Sequence, residues 1–175
     1  KKVVYNFRQN DLENGGQGAP LTPIFHNALV NKLNKKFSLG FPINILNIGG
    51  IANITSTVDW ENLDSHKYKI YAYDIGPGNC LIDEWVRKNS KEKYDKDGLF
   101  AKSGRIDKLV LNQALDNFSE NTNYKKSLDI KDFDIFFAKG LSLENGAATI
   151  TDFTAKLIAN GMNHVHGKNQ PQMYK

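Results

Sequence analysis

The feature that most constrains this chain is an apolar strand that runs into Asp74-Ile75-Gly76-Pro77-Gly78-Asn79 and from there into a helix. Lys69-Ile70-Tyr71-Ala72-Tyr73 has the β-branched and aromatic content of a strand. Leu81, Ile82, Trp85 and Val86 then recur at helical spacing and predict a helix over residues 80–88. A carboxylate after such a strand should project at its carboxyl end, where ligands collect in open α/β sheets. The helix beyond it presents an amino end that favours anionic groups. On these residues alone two readings of Asp74 stay open. It can act as a general base, weak unless burial raises its pKa, or it can cap the following turn.

Two further constellations lie upstream. Ile43-Asn44-Ile45-Leu46-Asn47-Ile48 and Ile51-Ala52-Asn53-Ile54-Thr55 flank Gly49-Gly50, which predicts a hairpin with glycines at its tip. Backbone amides at such a tip can form a nest for phosphate, although tight hairpins also use glycine for conformation alone. Nearer the start, Phe7-Arg8-x-x-Asp11 precedes Gly15-Gly16-Gln17-Gly18-Ala19-Pro20-Leu21. Arg8 can hold a carboxylate bidentately, while Asp11 and Gln17 suit sugar hydroxyls. An Arg8–Asp11 pair that merely ties the loop down explains the same residues equally well.

The remaining pattern is coarser. Val3-Val4-Tyr5 reads as the end of a buried strand, followed by a polar loop over residues 6–23. A helix is expected over residues 23–36 with Ile24, Phe25, Ala28, Leu29 and Leu33 on its inner face. Residues 60–66 read as a polar connection and 94–98 as a turn. An amphipathic helix over residues 106–118 would bury Ile106, Leu109, Val110, Ala114 and Phe118, with residues 119–145 irregular. The last helix is expected over residues 147–160, with Gly161 just past its end and a frayed tail from His164. His164-Val165-His166 reads as tail and not as a metal site, and Asp95 and Asp97 read as turn caps, so no metal ligand set is assigned. Cys80 opens a helix, where a thiol can be acidified, but reads as a packing residue.

The chain has 175 residues, 40% of them apolar, and a net charge of +4. That allows one ordinary domain with a core, and two complete domains would be a tight fit. The longest apolar runs are too short to span a bilayer, and Lys1-Lys2-Val3-Val4 carries no signal-peptide pattern. A single cysteine, Cys80, excludes an internal disulfide and fits a reducing, cytoplasmic setting. Lysines such as Lys32, Lys35, Lys36, Lys67, Lys69, Lys125 and Lys126 are interspersed with acids and do not alternate with aromatics, which points to a solvated surface and away from nucleic acid. The start without methionine and the end at Gln172-Met173-Tyr174-Lys175 suggest a segment of something longer.

Taken together and in order, Phe7-Arg8-x-x-Asp11, Gly15-Gly16-Gln17-Gly18-Ala19-Pro20-Leu21 with Phe25-His26, Leu46-Asn47-Ile48-Gly49-Gly50-x-x-Asn53 and Asp74-x-Gly76-Pro77-Gly78-Asn79 resemble the anhydro-N-acetylmuramic acid kinase family. Tyr94-Asp95-Lys96-Asp97-Gly98 and Ser103-Gly104 continue the likeness, which is clear to about Ser127 and fainter afterwards. The resemblance implies an α/β fold, a partial actin-like ATPase of RNase H-like type with a mixed sheet and flanking helices. It implies the end of a first domain and a substrate loop at residues 1–40, an incomplete second RNase H-like domain at 41–163, and a tail at 164–175. The implied reaction uses ATP, normally with Mg²⁺, and water to open 1,6-anhydro-N-acetylmuramic acid and phosphorylate O6, a step of peptidoglycan recycling. Asp74 would be the base that activates water. Arg8, Asp11, Gln17, Gly18 and Asn79 would face the amino sugar, and Asn47, Gly49, Gly50, Gly76 and Gly78 the nucleotide. A homodimer is possible for the full-length enzyme, and neither nucleic acid nor membrane is an expected partner.

The departures are specific. The family's amino-terminal Ser-Gly-Thr-Ser-x-Asp-Gly loop, its Ser-His-Gly-Gln segment and its late glycine triplet are absent from this sequence. Asn6 stands where the family usually has Asp, and Lys126-Ser127-Leu128-Asp129-Ile130-Lys131 replaces its Lys-Ser-Thr-Gly-Arg pattern. The chain is therefore expected to be inactive alone. Rival readings are a non-enzymatic remnant of a split gene, or another sugar kinase or ATP-dependent hydrolase of the superfamily. An RNase H-type nuclease would need a carboxylate cluster for two metals, and none can be placed in the sequence.

Overall fold

The computed structural model describes residues 2–16, 18–57, 70–121 and 127–166. Gln17, the connection at 60–66, Lys125, Lys126 and the tail beyond 166 lie outside the described residues.

Three strands, β1 (Ile43–Ile48), β2 (Ile51–Thr57) and β3 (Ile70–Pro77), form a sheet in that order, and both pairings are antiparallel. The two-residue Gly49-Gly50 link permits only an antiparallel neighbour, because a parallel one needs a long crossover. The expected mixed sheet is thus wholly antiparallel among the described residues. The flanking helices of an α/β fold are present: α1 (Phe7–Glu13), α2 (Pro23–Phe37), α3 (Cys80–Asn89), α4 (Leu99–Ser103), α5 (Lys108–Asn121) and α6 (Leu143–His166).

The sheet lies between α2 and α6. Ala52, Ile54, Tyr73 and Ile75 pack with Leu46 against Ile158 and Met162 of α6, and the Tyr73 hydroxyl donates to the Gly161 carbonyl at 3.0 Å. The opposite face carries Thr55, which hydrogen-bonds His26 of α2, with Nδ1 and Oγ1 2.8 Å apart. A second core joins α3, α5 and α6 through Leu81, Trp85, Leu111, Ala114, Ile150 and Phe153.

Several expectations are corrected. Val3, Val4 and Tyr5 are in no strand and are exposed, and residues 7–13 of the supposed loop form α1. On α2 the buried residues are Pro23, Asn27 and Val30, while Ile24 and Phe25 are 82% and 65% exposed. Hydropathy selects the wrong face here because the helix meets a polar sheet face and docks through His26. On α5 the buried residues are Leu111 and Ala114, with Val110 and Phe118 half-buried beside them, whereas Ile106 and Leu109 are exposed. The inward stripe is offset from the expected one.

Helix α6 begins earlier than expected and continues through Gly161 to His166. Gly161 is therefore no terminator. A Cβ there would lie 2.6 Å from Ile75 Cβ, so the glycine lets α6 approach β3. Gly146 meets the Trp85 ring in the same way, and the Trp85 indole donates to the Leu143 carbonyl at 2.9 Å. Although valine is a better helix former than glycine, Gly146→Val should overpack this contact and cost about 1–3 kcal/mol. Urea unfolding followed by circular dichroism checks this, and an unchanged midpoint would mean that the ring moves aside freely.

Candidate active site

Strand β3 extends past Asp74 to Pro77, so Asp74 sits inside the ladder and not beyond its end. It pairs with Asn53, which pairs in turn with Asn47, so Asn47, Asn53 and Asp74 form one polar row across the three strands. Neighbours in such a row have Cβ atoms about 5 Å apart. The next row is Ile45, Thr55 and Ala72, which places the row on the α2 side of the sheet. Exposure falls along it: Asn47 is exposed, Asn53 half-buried and Asp74 7% exposed. Between Ala52 and Asn53 the register shifts by one residue on β3. Such bulges re-aim side chains and are common next to active sites. Asn53 was quoted in the sequence motif without a role; alternation along β2 puts it on the face of Thr55, but its pairing with Asn47 depends on the observed register, with Ile48 opposite Ala52.

Asp74 Oδ2 accepts the Leu128 amide at 2.9 Å, and Oδ1 takes no hydrogen bond among the described residues. Burial raises the Asp74 carboxyl above its ordinary pKa, and the Leu128 amide partly opposes that rise. This is not the geometry of a turn cap, since the bonded amide lies 54 residues away.

The two glycine motifs meet through their backbones. Gly78 and Cys80 amides donate to the Gly50 carbonyl at 2.9 and 3.2 Å, and the Asn79 amide donates to the Gly49 carbonyl at 2.8 Å. A Cβ on Gly78 would collide with the Gly49 carbonyl. These three amides, which the sequence offered to an anion, are therefore engaged by protein. The Gly49 and Gly50 amides take no partner among the described residues. Side chains at either position would meet nothing closer than 3.6 Å. Gly76 (φ +152°) lies against Leu157 of α6 and, like Gly78, is buried. Asn47, Gly49 and Gly50 are the accessible members of the expected nucleotide set.

On the other side, the Asp11 carboxylate accepts the Gly18 amide at 2.8 Å, and Gly16 folds against it. Asp11 thus shapes the glycine loop, and no ion pair joins it to Arg8. The stem of Arg8 packs over Gly18, whose Cβ would lie 3.0 Å from Arg8 Cγ. Arg8, Asp11 and Gly18 are brought together. Asn79 instead lines a separate cleft of about 600 Å³ beside α3, with Asp83, Arg87, Lys93 and Tyr94. Asp74 is not on its walls. Asp95 accepts the Phe100 and Ala101 amides at 2.8 and 3.0 Å, as a cap should. Cys80 is buried and its thiol pKa is raised by desolvation, which favours the packing role.

No group of three or more His, Cys, Asp or Glu side chains among the described residues could hold a metal ion. No described helix is long and apolar enough to cross a membrane.

Comparison with known proteins bears on the family. The family model described as anhydro-N-acetylmuramic acid kinase matches residues 1–174. An anhydro-N-acetylmuramic acid kinase of Pelagibacter ubique is 54% identical over 159 residues, covering 90% of this chain and 40% of the relative. The corresponding proteins of Rhizorhabdus wittichii and Zymomonas mobilis are 42% and 39% identical, over 94% and 91% of this chain and 42% and 40% of the relatives. The chain thus spans about two fifths of the length of the curated relatives it matches. With the model matching nearly every residue, the chain belongs to the anhydro-N-acetylmuramic acid kinase family.

Proposed function

We propose that this chain carries the general base and the sugar-side and phosphate-side loops of a kinase that opens 1,6-anhydro-N-acetylmuramic acid and phosphorylates its O6. The observation that carries the reading is the state of Asp74: buried, raised in pKa, with one oxygen fixed and the other unbonded among the described residues, at the end of an asparagine row. Desolvation makes this carboxylate a stronger base than an exposed one. In the reaction, Asp74 takes a proton from water as the water oxygen bonds to C1. The C1–O6 bond breaks, and O6 takes the γ-phosphoryl group of the substrate ATP, leaving ADP.

Arg8, Gly18 and Gln17 are assigned to the sugar side, with Asp11 holding their loop in shape. Asn47 and the unused Gly49 and Gly50 amides suit phosphate oxygens. Asn53, between Asn47 and Asp74, is placed to hydrogen-bond the sugar or the attacking water. Three converging ligand side chains for Mg²⁺ are not found among the described residues. An ion held mainly by nucleotide phosphates and water needs no such cage, and no step here is routed through it. Residues 1–40 would belong with a first domain and residues 41–163 with a second.

The test places this chain in the Pelagibacter ubique relative, in exchange for its matching 159 residues, and supplies ATP and the anhydro sugar. Formation of N-acetylmuramic acid 6-phosphate, read by mass spectrometry, is expected. Asp74→Asn should lower the rate by about 10²–10⁴-fold with sugar affinity retained. Wild-type turnover in that variant would remove the proposed base, and no turnover with Asp74 intact would favour a non-enzymatic remnant. The acid limb of the wild-type rate profile should lie above the ordinary aspartate value of 3.8, since activity is lost as pH falls through the raised pKa.

Stability should respond with the opposite sense. A carboxyl whose folded pKa is raised contributes stability below its unfolded pKa and loses it as pH rises through the folded value. Asp74→Asn, which removes the buried charge, should therefore raise the urea midpoint at neutral pH. That gain should fade as pH falls through the raised folded pKa and be gone below about pH 3.8. A variant that is destabilised at neutral pH would show that the ionised carboxylate holds the site together.

A further inference from the structure

We propose that residues 127–132 form a positioning strap for Asp74, in which the Leu128 amide fixes Oδ2 and so leaves Oδ1 as the oxygen that receives the proton. This rests on the reading of Asp74 as the base. The strap reaches all three sequence motifs. Ser127 Oγ donates to the Ala19 carbonyl of the glycine loop at 3.1 Å. Leu128 donates to Asp74 at 2.9 Å. The Ile130 Cδ1 atom lies 3.9 Å from where a Gly50 Cβ would stand, at the hairpin tip.

The strap is also held from within. Asp129 and Asp132 form a reciprocal cap around a 3-10 turn at Ile130–Asp132: the Asp129 amide donates to Asp132 Oδ2 at 2.7 Å, and the Lys131 amide to Asp129 Oδ1 at 3.1 Å. A short segment fastened at both ends and stiffened in the middle presents its amide in a fixed direction. An oxygen that already accepts an amide hydrogen bond is the less basic of the pair. The proton of the attacking water therefore goes to Oδ1. This segment is where the sequence departs from the family pattern, and the contact to Asp74 is made by a backbone amide, so it needs no particular side chain at position 128.

Leu128 acts through Asp74 and is a positioning residue. Burial and the Leu128 amide are the causes of the Asp74 shift, with no charged side chain among them; on the elements packed around it the His26 ring is bonded to Thr55, and the Asp129 and Asp132 carboxylates are bonded within the strap. Lys131 is exposed.

The test is nuclear magnetic resonance on the full chain, without nucleotide or sugar. The Leu128 amide proton should shift as the Asp74 carboxyl titrates, with the same midpoint, and this response should vanish in Asp74→Asn. In Leu128→Pro the Asp74 carboxyl carbon should titrate at higher pH than in the wild type, because the bond that opposed the rise is gone. Should that variant fail to fold by circular dichroism, the wild-type amide titration alone decides. A Leu128 amide that stays flat through the Asp74 titration would overturn the proposal, as would an unmoved Asp74 midpoint in folded Leu128→Pro. The kinase reading is judged separately by product formation, so either can fail without the other.

Discussion

Three backbone hydrogen bonds join the Gly49-Gly50 hairpin tip to the start of α3. Each contributes about 0.5–1.5 kcal/mol net, but their larger effect is geometric. They hold the carbonyls of the tip toward Gly78, Asn79 and Cys80, which leaves the amides of Gly49 and Gly50 without partners among the described residues. They also set the end of β3 against β2, so that Asp74 pairs with Asn53 inside the ladder. A single side chain on Gly78 would break this approach, since its Cβ would occupy the space of the Gly49 carbonyl.

From that junction the rest of the site follows. The sheet has one apolar face, which α6 covers with Ile158 and Met162, and one polar face, where His26 and Thr55 join α2 to the strands. Asp74 lies on the polar face but deep enough to be desolvated. Burying an ionisable carboxylate opposes folding, and a site that keeps one does so against its own stability. Residues 127–132 add the orientation that the sheet alone does not supply, and they tie Asp74 to the glycine loop shaped by Asp11.

The legible parts of the sequence were those governed by local rules. The hairpin at Gly49-Gly50, the helix after Asn79 and the cap role of Asp95 follow from short-range pattern and appear where expected. What depended on tertiary partners was less legible. Apolar residues at helical spacing on α2 suggested a buried face that the structure largely exposes, because the helix buries Asn27 and Val30 instead and docks through His26 on Thr55. Gly161 looked like a terminator because its contact with Ile75 is made between elements far apart in sequence. For the same reason nothing local announced that Leu128 would reach Asp74. Asp74 itself was legible as chemistry, through its place in the motif. Its depth in β3 was hidden, because Gly76-Pro77 reads as a strand end and yet remains in the ladder.

The most direct measurement of this arrangement is amide hydrogen exchange at Gly78, Asn79 and Cys80. If the hairpin tip and the α3 turn form one unit, these three amides exchange as slowly as those of central β2, while Gly49 and Gly50 exchange quickly. Fast exchange at Gly78 to Cys80 together with protection at Gly49 and Gly50 would mean that the tip faces the other way, and the amides proposed for phosphate would then be lost.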